Sequence, residues 1–466
     1  MPSENFVLAF HQNMDYNSTN SIWKGIFGMA KRVKPDRKNA RIEIAGSTLD
    51  WMVEGTRQVC ENFRARLPGS QAERDAQGFF KEELGKYADE VIMEDFNVHP
   101  HAFMAFMPIG GVLMLASTAL YLFGGASAAL AVLGAVLSAV ATLIVLFEFL
   151  FYQPVIDFLF PRRVSRNVYG VRKPSGKVKR RIIFGGHTDV AWEWTYSLLG
   201  EKKAVGTVLF GSIAAMGISL IVGICNAVYT VSAGALEGEL ASKWEGGWLA
   251  WTILLLLGVP FALAVLKFIN YRVAVDGAND NSSANYIAMG VLREMAESGL
   301  RFENTEVGCL ISGSEEAGLR GARAFAKAHY EELSDPDVET VFIAMDTMRE
   351  IEELRVCNFG CTGTVKNDYA VGDLIRDAGR ACGIEMPDTE LYPGAIDSEA
   401  FSQRGLRANG FTAVSHDAKR YYHTRMDTPD NMDPDCLALS LNICKEAARI
   451  FDREEGMAGY DAGRGK

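Results

Sequence analysis

Five separated segments of this 466-residue chain each deliver a carboxylate or an imidazole where a short apolar run gives way to a loop or a helix. "IIFGGHTDV" ends on His187 and Asp189, "VDGANDNSS" sets Asp280 before a helix, and "CLISGSEEAG" ends on Glu315 and Glu316. "VFIAMDTM" carries Asp346 and "RYYHTRMDTPDN" carries His423. A metal site is the economical explanation of that recurrence. Two histidines and several carboxylates suit zinc best, with cobalt or manganese able to compete. The adjacency of Glu315 and Glu316 fits the same chemistry. Neighbouring carboxylates repel in a low-dielectric space, but a cation between them turns repulsion into attraction. Successive side chains at a strand end point in different directions, so one carboxylate can hold a cation while its neighbour takes a proton from water and passes it to a leaving amine.

The elements that would position these residues can be read from periodicity. "STLDWMVEGTRQVCENF" and "SQAERDAQGFFKEELGKY" have helical apolar spacing with polar caps. "EVIMEDFNV", "RRIIFGGH", "FENTEVGCLISGS" and "ETVFIAMD" read as strands, with helical stretches such as "SSANYIAMGVLREMAESG" and "GLRGARAFAKAHYEEL" between them. Strands alternating with helices of this length predict an α/β sheet, largely parallel and covered on both faces. Ligands bind beyond the carboxyl ends of such strands, where the candidate residues lie.

Two apolar stretches interrupt the pattern. No charged residue occurs from Ala102 to Phe147, about twice the length that crosses a bilayer, and "GGAS" supplies a turn midway. A second uncharged stretch runs from Ala204 to Leu236; after a polar, acidic loop, "WLAWTILLLLGVPFALAVL" follows. The sequence therefore predicts four membrane spans in two hairpins, over residues 102–150 and 204–267, inserted into an α/β domain made of residues 45–100, 161–200 and 271–455. "PRRVSRNVYGVRKPSGKVKRR", "GEKK" and "KFINYR" flank the hairpin ends, whereas the first turn has no Lys or Arg and the second loop is net acidic. By the positive-inside rule the hairpin ends, the α/β domain and both termini are cytoplasmic. In the tail over residues 1–44, "SIWKGIFGMAKRVKPDRK" has the composition of a segment lying on an anionic membrane surface, with a poorly ordered tail as the alternative; residues 456–466 form a C-terminal tail.

Composition narrows the classes further. A net charge of -11 and a pI near 5.3 argue against a nucleic-acid partner, which needs a basic face. The eight cysteines show no paired or zinc-finger spacing, which reads as buried reduced thiols in a reducing compartment. The N-terminus lacks the basic start and apolar core of a signal peptide. His99 and His101 border the first apolar stretch, and His11, His329 and His416 have no partner pattern; all are expected to be structural or solvent-facing.

The segments "HTD", "GANDNSSAN", "SGSEEAGLRGA" and "YYHTRMDTPDNMDP" follow the order of motifs in the zinc aminopeptidase family, the di-zinc co-catalytic metallopeptidases that include bacterial leucyl and Streptomyces-type aminopeptidases, glutamate carboxypeptidase and the glutaminyl cyclases. The chain resembles that family over roughly residues 45–100 and 165–455, and in neither hairpin. The resemblance implies a phosphorylase/hydrolase-like mixed, mainly parallel sheet flanked by helices, two zinc ions and peptide substrates. It implies that Asp280 bridges the metals, His187 and Asp346 hold one, and Glu316 and His423 hold the other. Glu315 would be general base and acid, and Asp189 would orient His187. Tyr422 matches a position that stabilises the oxyanion in some relatives, with simple packing as the alternative. Asp397, in "AIDSEAF", lies in a segment resembling the family's substrate pocket and reads as a solvated loop carboxylate.

One departure from the family bears on function. About ninety residues, including the second hairpin, separate His187 from Asp280, so convergence of the two motifs would bring the active site close to the membrane. Trp192 and Trp194 favour such an interface. The leading expectation is a membrane-anchored exopeptidase, most simply an aminopeptidase, acting on hydrophobic or membrane-derived peptides. Alternatives are a general peptidase that the hairpins merely anchor or dimerise, a glutaminyl-cyclase-like transferase, and a non-catalytic receptor or scaffold. Carboxypeptidase or dipeptidase action stays open.

Overall fold

A nine-stranded mixed sheet carries most of the strand ends identified above. The strands are β1 (Glu90–Val98), β2 (Arg163–Arg172), β3 (Arg180–His187), β4 (Trp192–Trp194), β5 (Ile269–Ala274), β6 (Thr305–Ser312), β7 (Glu339–Met348), β8 (Arg355–Gly360), β9 (Val365–Lys366), β10 (Asp388–Glu390) and β11 (Ala408–Ala413). The large sheet has the order β1-β2-β6-β3-β7-β11-β8-β10, with β9 beside β8, while β4 and β5 form a separate antiparallel pair. β3 runs parallel to both β6 and β7, and β11 parallel to β7. The computed structural model describes residues 34–125, 127–235, 242–390, 394–415, 421–454 and 456–462. Most of the N-terminal tail, with His11, and also His416, lie outside the described residues.

The central strands are apolar runs buried along nearly their whole length, the pattern of parallel strands covered on both faces. Alternate residues serve two cores. Ile182, Phe184, Val307, Ile311 and Ile343 face the helices Gly46–Asn62, Ser283–Glu297 and Pro434–Arg453. Ile183, Leu310, Phe342 and Ala344 face Arg320–Ala328 and Asp397–Ser402. Gly186 allows the close approach that the centre needs. A Cβ there would lie 2.8 Å from Ala284 Cβ, so any side chain would push the helix Ser283–Glu297 away from the end of β3.

β2 corrects the sequence reading. The cations flanking the first hairpin belong to "RVSRNVYGVR", a strand between β1 and β6 that is not among the strands read from apolar periodicity. Its arginines are accommodated individually: Arg166 pairs with Asp95 at 2.8 Å and Arg172 donates to Leu300 O at 3.1 Å.

Among the described residues four segments are long and apolar enough to cross a membrane: Phe103–Phe123, Ala128–Leu150, Lys203–Ala233 and Gly246–Val265. They pack as two hairpins. Ser138 joins three of the helices, its hydroxyl lying 2.7 Å from Ser117 Oγ and 2.9 Å from Ser219 Oγ. Their outward faces expose Val112, Leu133, Val136, Leu143, Ile224 and Leu257, a belt of apolar side chains unlike an ordinary water-facing surface. The third helix differs from expectation. It begins before residue 204, so that the flanking "GEKK" is part of one helix, Thr195–Ala235, which starts directly at the end of β4; lysine and glutamate are good helix formers and the lone Gly200 does not stop it.

Candidate metal centre

His187 is the last residue of β3, and its orientation is fixed from two sides. Asn285 Nδ2 donates to its carbonyl at 2.7 Å, while its Nδ1 faces the Asp189 carbonyl oxygen at 3.1 Å. Nε2 is thereby turned inward, 3.2 Å from Asp280 Oδ1, 3.4 Å from Asp346 Oδ2 and 3.8 Å from Glu315 Oε2. Asp346, near the end of the neighbouring parallel strand β7, is held by Thr347 Oγ1, which donates to its Oδ1 at 2.7 Å.

Asp280 lies in a loop that begins at Gly277, whose φ of +65° and contact with Val190 suit glycine. The loop is fastened by groups the sequence reading did not find. Asp427 accepts the main-chain N–H of Asn279 at 2.9 Å and of Asp280 at 3.1 Å. Arg66 is completely buried and donates to Thr188 O at 3.1 Å, Asp276 O at 2.9 Å and Ser282 Oγ at 2.9 Å. It therefore ties the end of β3 to the Asp280 loop.

The far oxygen of Asp280 faces the second histidine. Asp280 Oδ2 is 3.0 Å from His423 Nε2, which is 3.1 Å from Glu316 Oε1. The base of the second apolar hairpin holds this loop. Trp194 donates its N–H to His423 O at 2.8 Å, and its ring meets the imidazole edge-on at 4.4 Å. Next to it, Glu193 takes both Arg425 Nε and Nη2 at 2.6 Å. Because Glu193 is buried and this pair sets the His423 loop, Glu193→Gln is expected to weaken cation retention roughly tenfold, measured by competition with a chromophoric chelator.

Glu315 and Glu316 sit on a short 3-10 turn, Glu315–Ala317, entered through Ser314 in the left-handed region. Asp189 stabilises that turn, accepting the N–H of Glu315 at 2.9 Å and of Glu316 at 3.0 Å. Its carboxylate is also 3.5 Å from His187 Nδ1, so it positions the glutamate pair at least as directly as the histidine. Glu73 accepts the Ser314 N–H at 2.6 Å and hydroxyl at 2.9 Å. Asp397 departs from expectation: it is buried rather than solvated. It accepts from Ser312 Oγ, its Oδ1 has no partner among the described residues, and burial pushes its carboxyl up to about 6.

These distances converge on one buried space with a surplus of acid. Burial raises the carboxyls of Glu315, Glu316 and Asp346, each also pushed up by a neighbouring carboxylate. Burial opposes protonation of the histidines, yet the surrounding carboxylates outweigh it, lifting His187 well above the usual range and His423 to about 10. Such a cluster, with one ligand atom each from His187, Asp280 and Glu316 within 4.8 Å of one another, fits a divalent cation, which neutralises the acid and takes the place of the shared protons. His99 and His329 lie elsewhere, bonded to Phe160 O at 2.8 Å and to Glu94 at 2.9 Å respectively.

The centre opens into a cavity. One end presents Asp280, Glu315, Glu316, Asp346 and His423; the other presents Phe106, Met107, Phe149 and Leu209 from the apolar helices. Tyr422 lines it too, stacked on His423 at 4.1 Å between ring centres. Burial pushes the Tyr422 phenol well above its usual range, so it stays a neutral donor.

Residues 265–448 match the sequence profile of Peptidase family M28, a span that contains Asp280, Glu315, Glu316, Asp346 and His423 but not His187. Among curated proteins none matches. The fold is similar to that of an aminopeptidase from Aneurinibacillus sp. strain AM-1, at 14% identity over 88% of this chain and 94% of that one, with a TM-score of 0.50. A zinc aminopeptidase from Bacillus subtilis gives 12% identity over 87% and 95% with a TM-score of 0.49. A glutaminyl cyclase from Fimbriiglobus ruber gives 14% over 90% and 99% with a TM-score of 0.47. The profile match supports a metallopeptidase as the functional class.

Proposed function

We propose that this protein is a membrane-embedded, metal-dependent exopeptidase of the aminopeptidase type, with its α/β domain on the cytoplasmic side. The observation that most supports this reading is Asp280: each of its carboxylate oxygens faces a different histidine, the arrangement a bridging ligand needs. His187 and Asp346 would hold one zinc ion, Glu316 and His423 the other, and Asp280 both. When bound, the ions supply Lewis acidity that polarises a carbonyl and makes water nucleophilic near neutral pH.

The remaining work falls to the chain itself. Glu315 lies farther from the nearer histidine, at 3.8 Å, than Glu316 does from His423, at 3.1 Å, which suits it to carry a proton rather than a cation. Its carboxyl, raised by burial, can hold the proton of the attacking water at Oε2 and deliver it to the leaving amine. Asp189 keeps that carboxyl in place through the N–H groups of the turn. Tyr422, neutral and beside His423, is placed to donate to the oxygen that gains charge as the carbonyl is attacked.

Among the described residues lining the cavity there are several carboxylates and no Lys or Arg. That lining suits the ammonium of a free N-terminus and offers nothing to a terminal carboxylate, which favours aminopeptidase over carboxypeptidase action. The apolar end of the cavity suits a hydrophobic substrate. Protein purified in detergent and returned to liposomes is expected to hold two zinc ions per chain. It should release amino acids from free but not N-acetylated aminoacyl amides, losing activity to a chelator and regaining it with zinc. One zinc ion with cyclisation of N-terminal glutamine would assign the glutaminyl-cyclase chemistry instead. A protein that takes up no metal would make it a non-catalytic scaffold.

A further inference from the structure

The catalytic cavity does not stop at the membrane helices. A second, narrow apolar cavity shares Phe106, Met107, Phe149 and Leu209 with it and continues between the helices past Gly110, Met114 and Met216. From Phe106 to Met114 the wall runs along one helix for about 12 Å at 1.5 Å per residue. No aliphatic amino-acid side chain is that long. The walls are also almost without hydrogen-bonding side chains. Among the described residues Ser212 is the one polar side chain lining it, and its hydroxyl donates to Phe261 O at 3.2 Å. A peptide segment lying there would leave its N–H and C=O groups unpaired, whereas a hydrocarbon chain would lose nothing. Gly110 is part of the wall: a Cβ there would make ordinary contact with Met216 Cε at 3.5 Å and Val145 Cγ2 at 3.6 Å, so a larger side chain would fill the space.

We propose that this groove holds a single long hydrocarbon chain carried on the leaving amine of the substrate, so that the enzyme hydrolyses aminoacyl amides of long-chain, membrane-partitioned amines. The inference rests on the aminopeptidase reading and names the substrate class of the same site. The free α-amino group belongs at the carboxylate-rich end, so the chain that runs away from it is on the amine side of the scissile bond. In the reaction the C–N bond breaks, the water oxygen joins the carbonyl carbon, and the lipid amine leaves with the proton delivered through Glu315.

The test compares leucine amide with leucine butylamide, octylamide and dodecylamide in detergent. For the wild-type protein kcat/KM is expected to rise about threefold or more for each methylene buried, and to level off once the groove is full. Gly110→Leu and Ser212→Leu, which fill the groove, are expected to flatten that dependence. Val112→Leu, on the outward face of the same helix, is expected to keep it. A second arm needs no turnover. Dodecylamine with a terminal diazirine, photolysed on metal-free protein, is expected to label Met114 or Met216; labelling confined to outward residues such as Val112 or Leu133 overturns the proposal. Hydrolysis that ignores chain length, or groove variants that retain the wild-type dependence, also overturns it. Failure to hydrolyse any amide with zinc present would instead remove the aminopeptidase reading, while the labelling still decides the groove. Cleavage of dodecanoyl amides in preference to dodecylamides would put the chain on the wrong side of the bond and overturn its placement.

Discussion

Glu315→Gln is expected to keep the full complement of metal and lower kcat about a thousandfold. The substitution preserves shape and one acceptor oxygen but removes the ability to hold a proton. The N–H of residue 315 would still donate to Asp189, so the turn should persist. If the side chain acts in the transition state rather than in holding substrate, as proposed, KM should change little and kcat/KM should fall with kcat. Metal content measured on the same preparation separates the roles. Loss of a metal ion would make Glu315 a ligand, and full activity would mean that another group carries the proton.

The parts of this centre legible in the sequence are those whose chemistry cannot be exchanged. His187, Asp280, the Glu315–Glu316 pair, Asp346 and His423 stood out because each interrupts an apolar run or opens a helix with a residue that a purely structural position would not require. Parallel strands β3, β6 and β7 were legible for a related reason: burial on both faces demands unbroken apolar runs. The structure brings all six side chains to one space, though their spacing along the chain gives no hint of distance. The four apolar helices were equally readable, since composition alone sets them apart.

What could not be read depends on contacts between distant segments. Arg66 looks like a surface cation in "NFRARLPG", yet it is completely buried among carbonyls of residues more than a hundred positions away. Glu73 and Asp427 likewise look like ordinary helix and loop acids, and only the backbone N–H groups they accept show that they hold Ser314 and the Asp280 loop. Asp397 was read as solvated because a loop acid usually is; its burial follows from the packing of Asp397–Ser402 against β11 and β7, which no local pattern encodes. β2 was hidden for the opposite reason. Its arginines imitate a membrane flank, and only the pairing with β1 and β6 shows which of its residues face inward.

Asp280→Asn is expected to have the largest effect on metal content, taking it from two ions per chain to one or fewer and reducing activity by at least a thousandfold. The argument rests on symmetry within one side chain. The carboxylate offers Oδ1 toward His187 at 3.2 Å and Oδ2 toward His423 at 3.0 Å, and both can accept or ligate. An asparagine amide has one oxygen and one NH2 group, so whichever way it turns, one half of the centre meets hydrogens instead of a lone pair. It also removes one negative charge shared by both halves, while the main-chain N–H bond to Asp427 is untouched, so the loop should stay in place. Asp346→Asn provides the contrast. Of the two histidines Asp346 faces His187, at 3.4 Å, and its loss should weaken one half of the centre and spare the half around His423. Elemental analysis and stepwise zinc titration of the two variants therefore give different stoichiometries if Asp280 is shared. If Asp280→Asn keeps two tightly held ions and full turnover, the bridge does not exist, and the two histidines serve separate sites or none.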